Sequence, residues 1–161
     1  MEKEKRMKLL GEGFYWNDLT IGDRFRTFGR TVTDTDIVNF VTQAGMLEAL
    51  FLDAEYRSAH SAIPGRPAPA AMVYAMAEGL SLNATGQGTG LAFLNMQLDV
   101  HGPVVEGDTI HVEIEVTEIR PTSKGGRGLV RTTNRIVNQR GEAVITYTPL
   151  RLMAGRTETA G

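Results

Sequence analysis

Apolar and polar positions alternate most cleanly in Thr109-Ile-His-Val-Glu-Ile-Glu-Val-Thr117, where Ile110, Val112, Ile114 and Val116 share one face and His111, Glu113 and Glu115 the other. A period of two with β-branched residues on the apolar side marks a strand lying between a core and solvent. Leu94-Asn-Met-Gln-Leu-Asp-Val100 alternates in the same way, and Gly107-Asp108 reads as the turn joining these two strands into a hairpin. Residues 127–138 and 142–152 read as a second hairpin around Asn138-Gln-Arg-Gly141, and a fifth strand is placed over 24–32. Five strands make a sheet whose apolar face needs a cover.

Two segments change from a period of two to helical spacing. Thr33-Asp-Thr-Asp36 sets an N-cap hydroxyl ahead of an acidic third residue, and Ile37, Val38, Phe40 and Val41 follow as an apolar stripe. Pro67-Ala-Pro-Ala70 opens the second, which runs through Met72, Val73, Tyr74, Met76, Ala77 and Leu80. Proline's fixed φ suits a first turn. This helix is apolar nearly all round, so it is expected to be buried on most sides. The expected fold is α+β: a mostly antiparallel sheet wrapped around one long buried central helix, with a short helix at the margin. Residues 1–13 and 154–161 lack apolar periodicity and are expected to be flexible tails around a single domain over 14–153.

Composition narrows the chemistry. With 161 residues, of which 17 are Lys or Arg and 19 Asp or Glu, the net charge is −2. Nothing in that balance favours nucleic acid or an anionic membrane as partner. The absence of cysteine excludes disulfides, thiolate catalysis and cysteine-ligated zinc. Three scattered histidines give no metal-ligand spacing, so no metal is expected. No apolar run is long enough for a membrane span, and Met1-Glu-Lys-Glu-Lys-Arg-Met-Lys8 is charged where a signal peptide is apolar. A cytoplasmic location is the expectation.

Val100-His-Gly-Pro-Val-Val-Glu-Gly-Asp-Thr-Ile110, with Glu118-Ile-Arg-Pro121, Val137-Asn-Gln-Arg-Gly-Glu142 and the opening Asp18-Leu-Thr-Ile-Gly-Asp23, resembles the MaoC-like dehydratase and (R)-enoyl-CoA hydratase family of hot-dog proteins over about residues 14–153. The resemblance implies a hot-dog fold, an acyl-thioester of coenzyme A or acyl carrier protein as substrate or ligand, hydration or dehydration of an enoyl/3-hydroxyacyl pair, and no resident cofactor. A sheet edge left with unpaired backbone groups further suggests a homodimer or higher homo-oligomer.

The family's motif Ser-Gly-Asp-x-Asn-Pro-Leu-His-x-Asp aligns with Ala44-Gly-Met-Leu-Glu-Ala-Leu-Phe-Leu-Asp53. Gly45 and Asp53 match, whereas Met46 stands at the aspartate position and Phe51 at the histidine position. Hydration needs groups that exchange protons near the thioester, which a thioether and a phenyl ring cannot do. Three residues are candidates to take over. Glu48 is either a replacement base or a surface carboxylate, Asp53 a proton acceptor or a turn cap, and His60 an acid partner or polar surface. His101 and His111 read as structural.

For binding, the resemblance sets Gly65-Arg-Pro-Ala-Pro-Ala70 at the start of the central helix, where the amide of Ala70 or Ala71 can hold a thioester carbonyl. Pro69 stands where hydratases commonly carry a second histidine. Met46, Phe51, Met72, Met76 and Phe93 are candidates for an apolar acyl wall or for ordinary core. Gly86-Gln-Gly-Thr-Gly90 reads as a flexible connector. Three functions stay open: a lyase with a rearranged acid/base pair, an inactive acyl-thioester-binding subunit, and, from Glu78 within the central helix, a thioesterase.

Overall fold

A computed structural model describes residue 7 and residues 9–157. After a short 3-10 turn at Trp16–Asp18, the elements in chain order are β1 (Arg24–Arg26), β2 (Arg30–Thr31), α1 (Asp34–Ala44), α2 (Ala49–Leu52), α3 (Ala54–His60) and α4 (Ala70–Thr85). Then follow β3 (Gly90–Asn95), β4 (Leu98–Val100), β5 (Thr109–Pro121), β6 (Arg127–Val137), β7 (Ala143–Tyr147) and β8 (Leu150–Ala154).

The strands form one antiparallel sheet. β5 and β6 are its spine, β1 and β2 pair with β5, and β7 and β8 pair with successive halves of β6. The alternation in β5 is realised, with Ile110, Val112, Ile114 and Val116 all buried. A register shift between Val116 and Glu118 then moves Ile119 onto the apolar side. One extra residue in a strand does this because the side-chain period is two. The hairpin around 138–141 also forms, since the Asn138 carboxamide oxygen accepts the N–H groups of Arg140 at 2.9 Å and Glu142 at 3.1 Å.

The first hairpin does not form. β4 pairs with β7, not β5, while the Gly107-Asp108 turn is bonded to Val32: the Val32 N–H donates to Asp108 at 2.8 Å, and Gly107 to Val32 at 2.7 Å. Three stretches expected as single strands are also broken. Residues 24–32 bend at 27–29, where the Thr27 hydroxyl accepts the Val112 N–H at 2.9 Å. Residues 94–100 break at 96–97, and 142–152 break at Thr148-Pro149, where proline has no N–H for the ladder.

α1 starts as expected: Thr33 and Asp36 form a reciprocal capping box, which holds the Asp36 carboxyl below the usual carboxylate range through the Thr33 N–H bond. It ends at Gly45, whose φ of +71° suits glycine. α4 buries Met72, Val73, Ala77 and Ser81 against the sheet, but Ala71, Ala75, Gly79 and Asn83 lie exposed at i, i+4 spacing. An apolar composition made largely of alanine and glycine hides this open stripe from a hydropathy reading. The segment 86–90 is not a loose connector. Thr89 is fully buried, and its carbonyl accepts the Ala154 N–H at 2.8 Å.

Of the expected tails, residues 1–6, 8 and 158–161 lie outside the described residues. Ala154 belongs to β8, and Arg156 donates to Asp18 at 2.8 Å.

Candidate functional site

Two β-like contacts fix the segment leading into α4. The Ala68 N–H donates to Val104 at 2.8 Å, and the Glu106 N–H to Arg66 at 3.1 Å. The loop that supplies Val104 and Glu106 is clasped in turn by Asp108. This buried carboxylate accepts the Val105 N–H at 3.0 Å and the Gln139 amide at 2.7 Å, with Arg140 at 3.5 Å. Burial pushes the Asp108 carboxyl up, but the bonds from Gln139, Val105 and Arg140 outweigh it and hold the group below its ordinary value.

The chain then enters α4 through Pro67 and Pro69, both buried. Pro69 is the N-cap and offers no side-chain cap. The first intrahelical bond is from Val73 to Pro69 at 3.1 Å, so the N–H groups of Ala70, Ala71 and Met72 have no intrahelical acceptor. Ala70 and Ala71 are exposed, and their amides sit at the positive end of the helix dipole. Gly65, with φ of +82°, turns the chain toward Arg66.

Arg66 ties this region to the segment aligned with the family motif. Its guanidinium donates to Asp34 at 2.5 Å and to the Phe51 carbonyl. Arg57 similarly donates to the Leu50 carbonyl at 3.3 Å. Neither arginine stood out in the sequence, because their partners are backbone carbonyls and a carboxylate 32 positions away.

The residues proposed for acid–base work are separate. Phe51, at the histidine position, is buried in the main core, and Met46 packs against it. Glu48 is exposed at the start of α2 and makes no cap bond. Asp53 caps α3, accepting the Tyr56 N–H at 2.9 Å. His60 ends α3 and is exposed, its ring tilted against Tyr56 with centroids 4.7 Å apart. No hydrogen bond or ion pair links Glu48 to His60 among the described residues.

His101 bonds to Thr146 at 3.0 Å, and His111 lies 3.4 Å from Glu113. Among the described residues, no group of three or more His, Cys, Asp or Glu could hold a metal, and no helix is long and apolar enough to cross a membrane. The apolar wall does not converge either. Met72 and Met76 border a groove with Phe40, whereas Phe93 belongs to a cavity under the C-terminal half of α4.

Glu78 touches that second region through Arg151, which lines it. Arg151 donates to its two oxygens at 2.7 and 2.6 Å, and the Tyr147 hydroxyl donates at 3.0 Å. Burial, then the Glu78 charge, pushes the Tyr147 phenol far up. A carboxylate held by a guanidinium and a phenol is a structural anion, poorly suited to the attack on a thioester that a thioesterase requires.

The comparisons fit this architecture. A family model described as FAS1-like, dehydratase domain region, matches residues 19–147, and the chain belongs to that family. Among solved structures, the chain is similar to a MaoC-like dehydratase from Rhodospirillum rubrum, with 28% identity and a TM-score of 0.79 over 90% of this chain and 99% of that one. It is also similar to an R-hydratase from Pseudomonas aeruginosa, at 26% identity and TM-score 0.73 over 90% and 88%. A Mycobacterium tuberculosis protein with a double hot-dog fold aligns at 24% identity and TM-score 0.83, over 92% of this chain and 46% of that one. No curated protein sequence matches it. The fold is thus a single hot-dog domain of the MaoC-like dehydratase type.

Proposed function

We propose that this chain binds an enoyl- or 3-hydroxyacyl-thioester of coenzyme A or acyl carrier protein at the N-terminus of α4, and that it does so without the acid–base pair of its family. The observation that carries this reading is the exposed first turn of α4, where the Ala70 and Ala71 amides have no intrahelical acceptor. Donors at a helix N-terminus suit a thioester carbonyl, whose oxygen gains negative charge on addition at the β-carbon. The positions that carry proton-transfer groups in the family motif hold Met46 and Phe51, both turned into the apolar interior. The protein acts in this reading as an acyl-thioester-binding hot-dog subunit.

A second reading, a MaoC-like lyase that uses Glu48 with His60 and keeps Asp53 in reserve, draws support from family membership. The two are separated by crotonyl-CoA hydration, measured by loss of enoyl absorbance. The binding reading expects hydration no faster than that of a Glu48→Gln, His60→Asn double variant. Turnover that falls about 10²-fold or more in either single variant establishes the lyase.

Assembly as a homodimer belongs to the same proposal. Among the described residues β3 pairs with β8 on one side only, and Leu91, Phe93 and Leu94 are all about half exposed. The double hot-dog relative carries two such units in one chain, and this chain spans one. A monomer mass by light scattering, independent of concentration, removes the dimer from the account.

A further inference from the structure

β1 stands at one end of the sheet order, with β4 at the other, and its ladder with β5 uses only one of its two edges. The register decides which backbone groups are left over. The Val116 N–H donates to the Asp23 carbonyl at 2.9 Å and the Thr27 N–H to the Val112 carbonyl at 2.9 Å, so Asp23, Phe25 and Thr27 take the hydrogen-bonded positions that face β5. The N–H and C=O groups of Arg24 and Arg26 therefore point to the open side, and among the described residues no other group takes them. This free edge is short. The Asp23 N–H closes a turn onto Thr20 at 3.0 Å at one end, and the bend at 27–29 ends it at the other.

Unpaired edges invite other chains, and proteins commonly guard them with charge. Here the guard has one sign. Arg24 and Arg26 lie opposite Glu115 and Glu113 on the outer face of the sheet. Arg135 holds Glu113 at 3.0 Å, and Arg24 stays 3.8 Å from Glu115 with 72% of its side chain exposed, a pair too open to neutralise it firmly. Arg26 is exposed and has no ion-pair partner among the described residues. Directly beyond, the Phe28 ring is 94% exposed, apolar surface that a bound partner would remove from water. A second copy suits this edge badly, because antiparallel registers that use its whole length set arginine against arginine. An acidic strand meets the same row with the opposite charge, and its period of two brings alternate side chains opposite Arg26 and Arg24.

We propose that the open edge of β1 is a docking site for an extended acidic peptide, which adds to the sheet as an antiparallel strand. Two acidic side chains, two residues apart, lie against Arg26 and Arg24, and an apolar side chain two residues before the first lies against Phe28. Main-chain bonds to Arg24 and Arg26 hold the strand, and the side chains select it. The site goes beyond the thioester reading and does not depend on it, since it uses no group of the α4 N-terminus.

The test is a fluorescence-anisotropy titration of the fluorescein-labelled, amidated peptide Thr-Phe-Thr-Glu-Thr-Glu-Thr with the full chain at about 50 mM salt, where exposed charges are little screened. Saturable binding is expected. Affinity should fall at least about ten-fold when both glutamates of the peptide become lysine, when their two amides are N-methylated, or when the protein carries Arg24→Glu with Arg26→Glu. N-methylation of the threonine between the glutamates, whose amide faces away from β1, should leave affinity unchanged. The lysine peptide should bind the charge-reversed variant at least about ten-fold more tightly than the original chain, which also shows that the variant is folded. Phe28→Ser should weaken the glutamate peptide by a smaller factor. The proposal is overturned if the glutamate peptide does not bind, if N-methylation of its glutamates leaves affinity unchanged, so that charge alone is read, or if the charge-reversed variant, folded by near-ultraviolet dichroism, keeps full affinity. It is equally overturned if light scattering shows a dimer in the original chain that the charge-reversed variant lacks, because the occupant of the edge is then a second copy.

Discussion

The two ends of α4 solve opposite problems with opposite materials. At its N-terminus the polar groups are backbone amides, exposed and without an intrahelical acceptor, next to a segment in which Met46 and Phe51 pack into the apolar interior. In its C-terminal half the polar groups are side chains, Glu78, Arg151 and Tyr147, sunk into apolar surroundings and satisfied by one another. Backbone donors at a helix start survive almost any change of side chain, so the proposed place for a carbonyl does not depend on which side chains flank it. Paired charges have no such tolerance. Glu78, Arg151 and Tyr147 are therefore tied to the architecture by one another.

The sharpest way to break this contrast is to remove one half of the buried pair. Arg151→Met leaves Glu78 without its cation in a site where its side chain is 14% exposed, and the expected cost is about 3–5 kcal/mol in urea unfolding. Glu78→Gln combined with Arg151→Met should recover most of that loss, since no charge is then stranded. Recovery of nothing indicates that Arg151 acts through packing on Phe93, whose ring centroid lies 5.3 Å from the guanidinium carbon. Neither change should alter butyryl-CoA binding at the other end of the helix.

A somewhat smaller loss is expected where Trp16 packs on the smaller apolar cluster of Val116, Val130 and Met153. A Cβ at Gly128 would collide with the Trp16 ring, so Gly128→Ala must push the indole away. Overpacking of this kind costs about 1–3 kcal/mol, and Trp16 fluorescence reports the displacement directly because the chain has a single tryptophan. Unchanged emission and stability would show that the N-terminal segment does not lie on β6 as described.

The smallest expected effect is confined to acid. Asp108 has a folded pKa below its ordinary value near 3.8, so its stabilising contribution is complete above that value and is lost as pH falls through the lower folded one. Asp108→Asn should flatten the fall in stability below about pH 4, followed by urea midpoints at successive pH values, while lowering stability at pH 7. A variant with an unchanged acid limb contradicts the clasp.

Local chemistry was legible in the chain and non-local pairing was not. The Thr33 and Asp36 capping box, the alternation of Ile110 to Val116 and the Asn138 turn each depend on residues within a few positions, and each forms. The ladder between β4 and β7 joins residues 45 to 49 positions apart after a turn, Gly107-Asp108, that pointed to a nearer partner. Proton-exchange residues drew the reading toward Glu48, Asp53 and His60 because alignment sets them beside a family motif, yet Asp53 caps a helix and the other two face solvent. Glu78 stood out as a lone carboxylate in an apolar helix, but its partner Arg151 lies 73 positions on. A cavity is harder still to read, since it is defined by the spacing of α4 over the sheet and by no residue type.

The proposed thioester site rests on the backbone of the α4 N-terminus. The most direct measurement is a titration of the isotope-labelled protein with butyryl-CoA, following amide resonances residue by residue. The expected result is saturable shifts concentrated at Ala70, Ala71 and Met72, with CoA alone producing much smaller ones at these amides. Binding that leaves these three resonances in place, or that shifts only residues around Glu48 and His60, would contradict it.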